Sequence, residues 1–212
     1  KHVHLVEENI ISGVRNNVLG TLNLVNSVRR SPVKELVLIS SDKAVHPKNV
    51  MGATKRLAEM IVLNCAKKES SKIFSLVRFG NVMRSSGSVI PLFEDQIRNG
   101  GPVTVTDGRA TRYFMTSLEA SQLVIQASAM AKGGEIFVLD MGAPIRIETL
   151  AKKMIHLHGK SFVGEHDAND IENEIEIKYT GLRAGEKLNE KLFASEEFIN
   201  TRHPRIFVSS ET

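Results

Sequence analysis

The chain has 212 residues, 42% hydrophobic and 25% charged, with a net charge of +4 and a pI near 9.2. That length supports one substantial core, or one large domain with a small lobe, and the composition is that of an ordinary globular protein. Basic residues are spread among acidic ones and no basic run is interleaved with aromatics, which argues against a nucleic-acid surface and leaves a solvated surface or a basic pocket for an acidic substrate.

The single cysteine, Cys65, excludes an internal disulfide and points to a reducing cytoplasm. It sits in an apolar helical stretch and is expected in the core. No apolar run is long enough to span a bilayer, and no signal peptide precedes the first strand. The chain opens on His2-Val3-His4-Leu5-Val6, an apolar stretch that reads like the middle of something longer. From Ile10 to Arg30 the apolar residues Ile11, Val14, Val18, Leu22, Val25 and Val28 recur at helical steps. Glu35 to Ser40 is a short continuous apolar run of the kind found in buried parallel strands. A second helix is expected from Val50 to Lys67, with Leu57, Met60, Ile61 and Leu63 inward. Ile73 to Phe79 reads as another buried strand, and Asn81 to Ser88 as a Gly/Ser-rich loop. A helix follows Pro91, which suits an early helical position.

Val103 to Thr106 and Glu135 to Leu139 read as strands. Ser117 to Ala131 reads as an amphipathic helix with Ser117 as its N-cap, ended by Gly133-Gly134. Ile147 to His158 is a helix, Ser161 to Asn173 a polar loop, and Ile175 to Thr180 a late strand. Strands alternating with helices predict an α/β fold with a mostly parallel sheet.

Three polar residues, Ser41, Asp42 and Lys43, follow directly on the strand ending near Ser40. Ligands of open α/β sheets bind at the carboxyl ends of strands, although position alone is equally consistent with Asp42 starting a turn. Met51 and Lys55 are four apart and share a helical face. In isolation such a lysine is more often a solvated helix residue.

The longer strings say more. Leu38-Ile39-Ser40-Ser41-Asp42-Lys43-Ala44-Val45 and Asn49-Val50-Met51-Gly52-Ala53-Thr54-Lys55-Arg56 resemble the CapD-like polysaccharide-biosynthesis family, nucleotide-sugar 4,6-dehydratases of the extended short-chain dehydrogenase/reductase type. The resemblance continues through Asn16-Asn17-Val18-Leu19-Gly20-Thr21, Val77-Arg78-Phe79-Gly80-Asn81-Val82 and Ser85-Ser86-Gly87-Ser88-Val89-Ile90-Pro91. It extends to Thr111-Arg112-Tyr113-Phe114-Met115, Gly133 to Gly142, and Gly181-Leu182-Arg183-Ala184-Gly185-Glu186-Lys187. It therefore covers nearly the whole chain in order.

The resemblance implies a Rossmann-like, NAD-binding parallel sheet, N-terminally truncated, with a small C-terminal substrate-binding lobe. Residues 1–80 would be the C-terminal part of the dinucleotide-binding domain, and residues 81–212 the substrate lobe interleaved with the last elements of the sheet. It implies a lyase that uses NAD, with NADP as the alternative, to convert a UDP-sugar of the UDP-N-acetylglucosamine type to its 4-keto-6-deoxy form. A hydride leaves C4, water is lost across C5 and C6, and the hydride returns to C6.

The same resemblance implies residue roles. Methionine at position 51, where the superfamily commonly has tyrosine, looks like the configuration-retaining branch, and it has no proton to give. The proton work then falls to Asp42, as the acid for the C6 hydroxyl, and Lys43, as the C5 base, with Ser41 bonding the C4 oxygen. Lys55 would bind the nicotinamide ribose, and Ser40 and Asn17 would also serve the cofactor. Asn81, Arg112 and Arg183 would contact the diphosphate, Val89, Ile90 and Pro91 the base, and Glu186 the nucleotide ribose. Arginine suits phosphate because its planar fork pairs bidentately. The histidines show no ligand spacing, and no metal is expected. A homo-oligomer is expected, and the parent enzyme is expected in the cytoplasm or as the cytoplasmic part of an inner-membrane protein.

Arg84 departs from the family's usual glycine, Ala184 from a common proline and Asn189 from a common tyrosine. No Gly-x-Gly-x-x-Gly occurs, although that loop at a helix N-terminus binds the cofactor pyrophosphate. The chain thus looks like a fragment, expected on its own to bind NAD weakly or not at all. The alternatives are a nucleotide-sugar 4-epimerase, which needs no acid at C6, and a non-catalytic sugar-nucleotide-binding remnant.

Overall fold

A computed structural model describes residues 2–164, 173–194 and 197–211. Helices Val3–Glu8 (α1) and Ile10–Val14 (α2) lead into a π-helical turn at Arg15–Leu19 and then Gly20–Arg30 (α3). The helical run expected from Ile10 to Arg30 is present but irregular, and the apolar opening is itself helical. A π-turn carries an extra residue and so offsets the apolar stripe on either side of it. Val25 and Val28 are buried as expected, whereas Ile11 and Leu22 face outward.

Strand Glu35–Ile39 (β1), a 3-10 turn at Asp42–Ala44, helix Val50–Lys68 (α4) and strand Ile73–Arg78 (β2) form a βαβ unit. The two strands pair in parallel, from Glu35 opposite Ile73 to Ile39 opposite Val77, and α4 is the crossover that a parallel pair requires. The inward face of α4 is not the large-residue stripe expected from the sequence. Met51, Thr54, Ala58, Val62 and Cys65 are buried, while Leu57 and Met60 point outward.

The chain continues through Asn81–Val82 (β3), Val89–Arg98 (α5), Val103–Val105 (β4), Thr111–Arg112 (β5), Phe114–Met115 (β6) and Ser117–Ser128 (α6). Then come Ile136–Leu139 (β7), Ile145–Arg146 (β8), Ile147–Leu157 (α7), Ser161–Phe162 (β9), Glu174–Ile175 (β10), Ile177–Tyr179 (β11), Phe198–Asn200 (β12) and Ile206–Ser209 (β13). The cap of α6 is Thr116 rather than Ser117, in a capping box with Glu119. The segment read as a polar loop begins with β9, which pairs with β10; residues 165–172 of that segment lie outside the described residues.

The main sheet has the order β1-β2-β7-β13-β12. β1, β2 and β7 run parallel, β13 is antiparallel to β7, and β12 is antiparallel to β13. One face is covered by α3 and α4 through Val25, Val28, Val62 and Cys65 against Leu36 and Phe74. The other is covered by α6 through Ala120, Leu123 and Ala127 against Val77, Phe137 and Leu139. This is the expected Rossmann-like α/β architecture. A second core joins Phe93 and Ile97 of α5 to Val103, Val105, Ala151, Ile155 and Ile175. It lies beyond the carboxyl end of β2, where the chain leaves the sheet.

Candidate functional site

The sheet's hydrogen bonding continues past the end of β1. Ser40 donates its N–H to the Val77 carbonyl at 2.8 Å and Asp42 to that of Phe79 at 3.2 Å. The Ser41 hydroxyl caps the 3-10 turn by accepting the Lys43 N–H at 3.2 Å. Asp42 is thereby held fully buried beside the end of β2. Its Oδ1 accepts the Ser41 hydroxyl at 2.8 Å and the Lys43 ammonium at 3.0 Å. Its Oδ2 is buried with no hydrogen-bond partner among the described residues, an uncommon state for a native carboxylate and one that calls for an explanation. Gly80 adjoins this atom: a methyl group there would come 3.4 Å from Oδ2 and 2.9 Å from the Tyr113 Cβ. The Lys43 ammonium also donates to Asn81 Oδ1 at 3.4 Å.

The first turn of α4 rests on this turn. Asn49 caps the helix by accepting the Gly52 N–H at 2.7 Å. A Cβ on Gly52 would meet the Lys43 carbonyl oxygen at 2.4 Å, so only glycine allows the approach. Met51 is buried and Lys55, one turn on, is half-buried. Burial pushes the Lys55 ammonium below its ordinary pKa, partly offset by the nearby Glu59 carboxylate. Asn17 spends its amide on the Thr54 hydroxyl at 2.9 Å. The Ser40 hydroxyl donates to Glu59 Oε1 at 2.5 Å. Both side chains therefore fasten α4.

A late segment closes over the cluster. Asn49 Nδ2 donates to the Gly185 carbonyl at 2.9 Å, and a Cβ on Gly185, whose φ is +79°, would come 2.7 Å from that of Asn49. Lys187 Nζ donates to the Val45 carbonyl at 2.7 Å. Arg112 gives its guanidinium to the carbonyls of Thr111, Lys187 and Leu188 at 2.7, 2.8 and 2.9 Å, so it holds the segment in place. Glu190 is buried, 3.8 Å from the Lys43 ammonium and 3.6 Å from that of Lys187.

The structure thus brings Ser41, Asp42, Lys43 and Asn81 together and adds Lys187 and Glu190, which the sequence did not single out. Their only signal was position, at the end of the Gly181–Lys187 string and just beyond it. Arg183 is exposed, and its backbone N–H is held by the Glu186 carboxylate at 3.2 Å. Val89 and Ile90 pack partly buried against the second core, with Pro91 two residues into α5. Arg84 has φ +56° and pairs with Glu94 at 2.8 Å; the left-handed backbone explains why glycine is expected there.

The sequence profile of the family described as polysaccharide biosynthesis protein matches residues 1–211. The chain is 52% identical over 205 residues to the capsular polysaccharide biosynthesis protein CapD of Staphylococcus aureus, covering 97% of this chain and 32% of that protein. It is 53% identical over 197 residues to the probable polysaccharide biosynthesis protein EpsC of Bacillus subtilis, covering 93% and 31%. A UDP-glucose 4-epimerase of Rickettsia rickettsii is 37% identical over 199 residues, covering 93% and 54%. The chain therefore spans about a third of the length of CapD and EpsC. Among solved structures, Pen from Bacillus thuringiensis superposes with a TM-score of 0.87 at 38% identity, covering 99% of this chain and 63% of that one. DesIV, a dTDP-glucose 4,6-dehydratase from Streptomyces venezuelae with NAD and TYD bound, shares the fold with a TM-score of 0.74 at 17% identity, covering 91% and 61%.

Proposed function

The chain belongs to the polysaccharide biosynthesis protein family, and from that premise we propose that it supplies the proton-transfer groups of a nucleotide-sugar 4,6-dehydratase acting on a UDP-N-acetylglucosamine-type substrate. The observation that carries this reading is the buried Asp42 carboxylate, one hydrogen bond from the Lys43 ammonium and with its second oxygen lacking a hydrogen bond among the described residues.

Moving one proton across the 3.0 Å Lys43–Asp42 bond turns an ion pair into a neutral acid beside a neutral amine. Elimination of water needs that pair: Lys43 takes the C5 proton, and Asp42 protonates the C6 hydroxyl as it leaves. Met51 is buried and has no ionisable proton to contribute. Asn81 orients Lys43 through its amide oxygen. NAD, with NADP as the alternative, supplies when bound an acceptor for the C4 hydride and its donor at C6. Lys55 would hold its nicotinamide ribose. The fit rests on its half-buried ammonium, which makes no hydrogen bond or salt bridge among the described residues and matches the acceptor oxygens of a diol. Arg183, exposed at its turn, is the arginine left to bind diphosphate, while Arg112 shapes the segment beside it.

The 37% identical UDP-glucose 4-epimerase favours a second reading, 4-epimerisation. That reaction needs no acid at C6 and leaves the buried Asp42 carboxylate without a task. In the full-length protein Asp42→Asn is expected to lower turnover by roughly 100-fold or more while UDP-sugar binding, read by calorimetry, stays within a few-fold of wild type. Near-normal turnover of the variant would refute the assignment.

A further inference from the structure

Glu190 has no role in the scheme above, yet it is buried in the same cluster. Its side chain is 5% exposed, and one oxygen, Oε2, is buried without a hydrogen bond among the described residues. It lies 3.8 Å from the Lys43 ammonium, too far for a direct hydrogen bond and close enough for an ion pair. Lys187, held by the Val45 carbonyl, lies 3.6 Å from the other Glu190 oxygen, Oε2. Among the described residues the charged groups around Lys43 are Asp42 and Glu190, with Lys187 paired to Glu190. Asp42 Oδ2 and Glu190 Oε2 are buried without a hydrogen bond among the described residues, although Glu190 Oε2 stands 3.6 Å from the Lys187 ammonium.

We propose that Glu190 is a positioning residue for Lys43, and that its fixed charge stabilises the ammonium formed when Lys43 takes the C5 proton. This rests on the dehydratase reading. In the elimination the C5–H bond breaks and an N–H bond forms on Lys43. The C–H electron pair becomes the C5–C6 double bond as the C6–O bond breaks, and the oxygen leaves as water with the proton from Asp42. Lys43, whose side chain is only partly exposed, changes from neutral to cationic. A carboxylate already fixed 3.8 Å from its nitrogen needs no reorganisation to meet that charge. Asp42 cannot supply it alone, because it acquires its own charge only as it gives up its proton. Lys187 compensates Glu190, so burying the second carboxylate does not leave an uncompensated charge.

A purely structural Glu190 would only tether its segment to Lys43 and Lys187, and the two roles differ in one readout. The test uses full-length protein with UDP-N-acetylglucosamine, unlabelled and deuterated at C5. Glu190→Gln is expected to lower kcat roughly 10- to 100-fold with KM little changed. The C5 deuterium isotope effect on kcat is expected to rise, because C5–H cleavage becomes the slower step. Glu190→Asp, which keeps the charge, is expected to recover part of the rate. A Glu190→Gln variant within about twofold of wild-type kcat overturns the proposal. So does a slower variant with an unchanged isotope effect, and so does a Glu190→Asp variant no faster than the glutamine variant. If the wild-type protein releases no water from the sugar, the dehydratase reading itself has failed, and the Glu190 assignment falls with it.

Discussion

Met51 and Lys55 lie one turn apart on the same face of α4, and folding treats them in opposite ways. Burial of Met51 is favourable, whereas Lys55 is half-buried with an ammonium whose pKa is lowered by desolvation. The charged form is thus penalised in the folded state wherever the unfolded chain is protonated, which is below the ordinary lysine value of 10.5. The penalty is present at neutral pH and is relieved only as pH rises. Lys55→Met is therefore expected to leave thermal stability unchanged or raised while turnover of the full-length protein collapses. A clear fall in melting temperature would contradict this account of Lys55. At this scale the sequence was informative where neighbours in the chain are neighbours in space, as with Ser41, Asp42 and Lys43. It was silent on Glu190, which reaches Lys43 only because a distant segment folds back. It also showed Arg84 as a substitution without showing that its backbone is left-handed.

The start of α4 shows how an element can be set by its neighbour rather than by propensity. Helix propensity favours alanine over an internal glycine by about 1 kcal/mol. At Gly52 a Cβ would lie 2.4 Å from the Lys43 backbone oxygen and 3.1 Å from the Pro47 Cβ, and a backbone atom cannot swing away. Gly52→Ala is thus expected to destabilise by about 1–3 kcal/mol, the opposite sign from propensity. Turnover should fall with it, because the displaced carbonyl belongs to Lys43; thermal denaturation and kcat of the same sample check both. The inward face of α4 departs from the sequence expectation for a related reason. Small residues such as Ala58 let the helix lie close to the sheet, and the larger Leu57 and Met60 are turned away. β12 and β13 carry little signal in the sequence, because each is three or four residues long and the Thr201–Arg205 stretch between them is polar.

Across the whole molecule one buried network joins parts that are remote in the chain. Arg78, fully buried at the end of β2, donates to Glu59 on α4 at 2.8 and 2.7 Å and to Glu211 just past β13 at 2.5 Å. Ser40 at the end of β1 joins the same Glu59. The antiparallel return of β13 thus ends on the pair that fastens α4 to the sheet beside the site, and breaking such a pair leaves an uncompensated buried charge. None of this was legible, since each charged residue taken singly looks like surface. The alternation of apolar strands and helices was legible, because it follows from burying a parallel sheet on both faces. Among the described residues no helix is long and apolar enough to cross a membrane. The task proposed for the Asp42–Lys43 pair is to remove water from a sugar nucleotide. Its most direct test is to incubate the full-length wild-type protein with UDP-N-acetylglucosamine and NAD and to analyse the product by mass spectrometry and NMR. The expected product is lighter by one water, with a ketone at C4 and a methyl group at C6. A product of unchanged mass, inverted at C4, would contradict it.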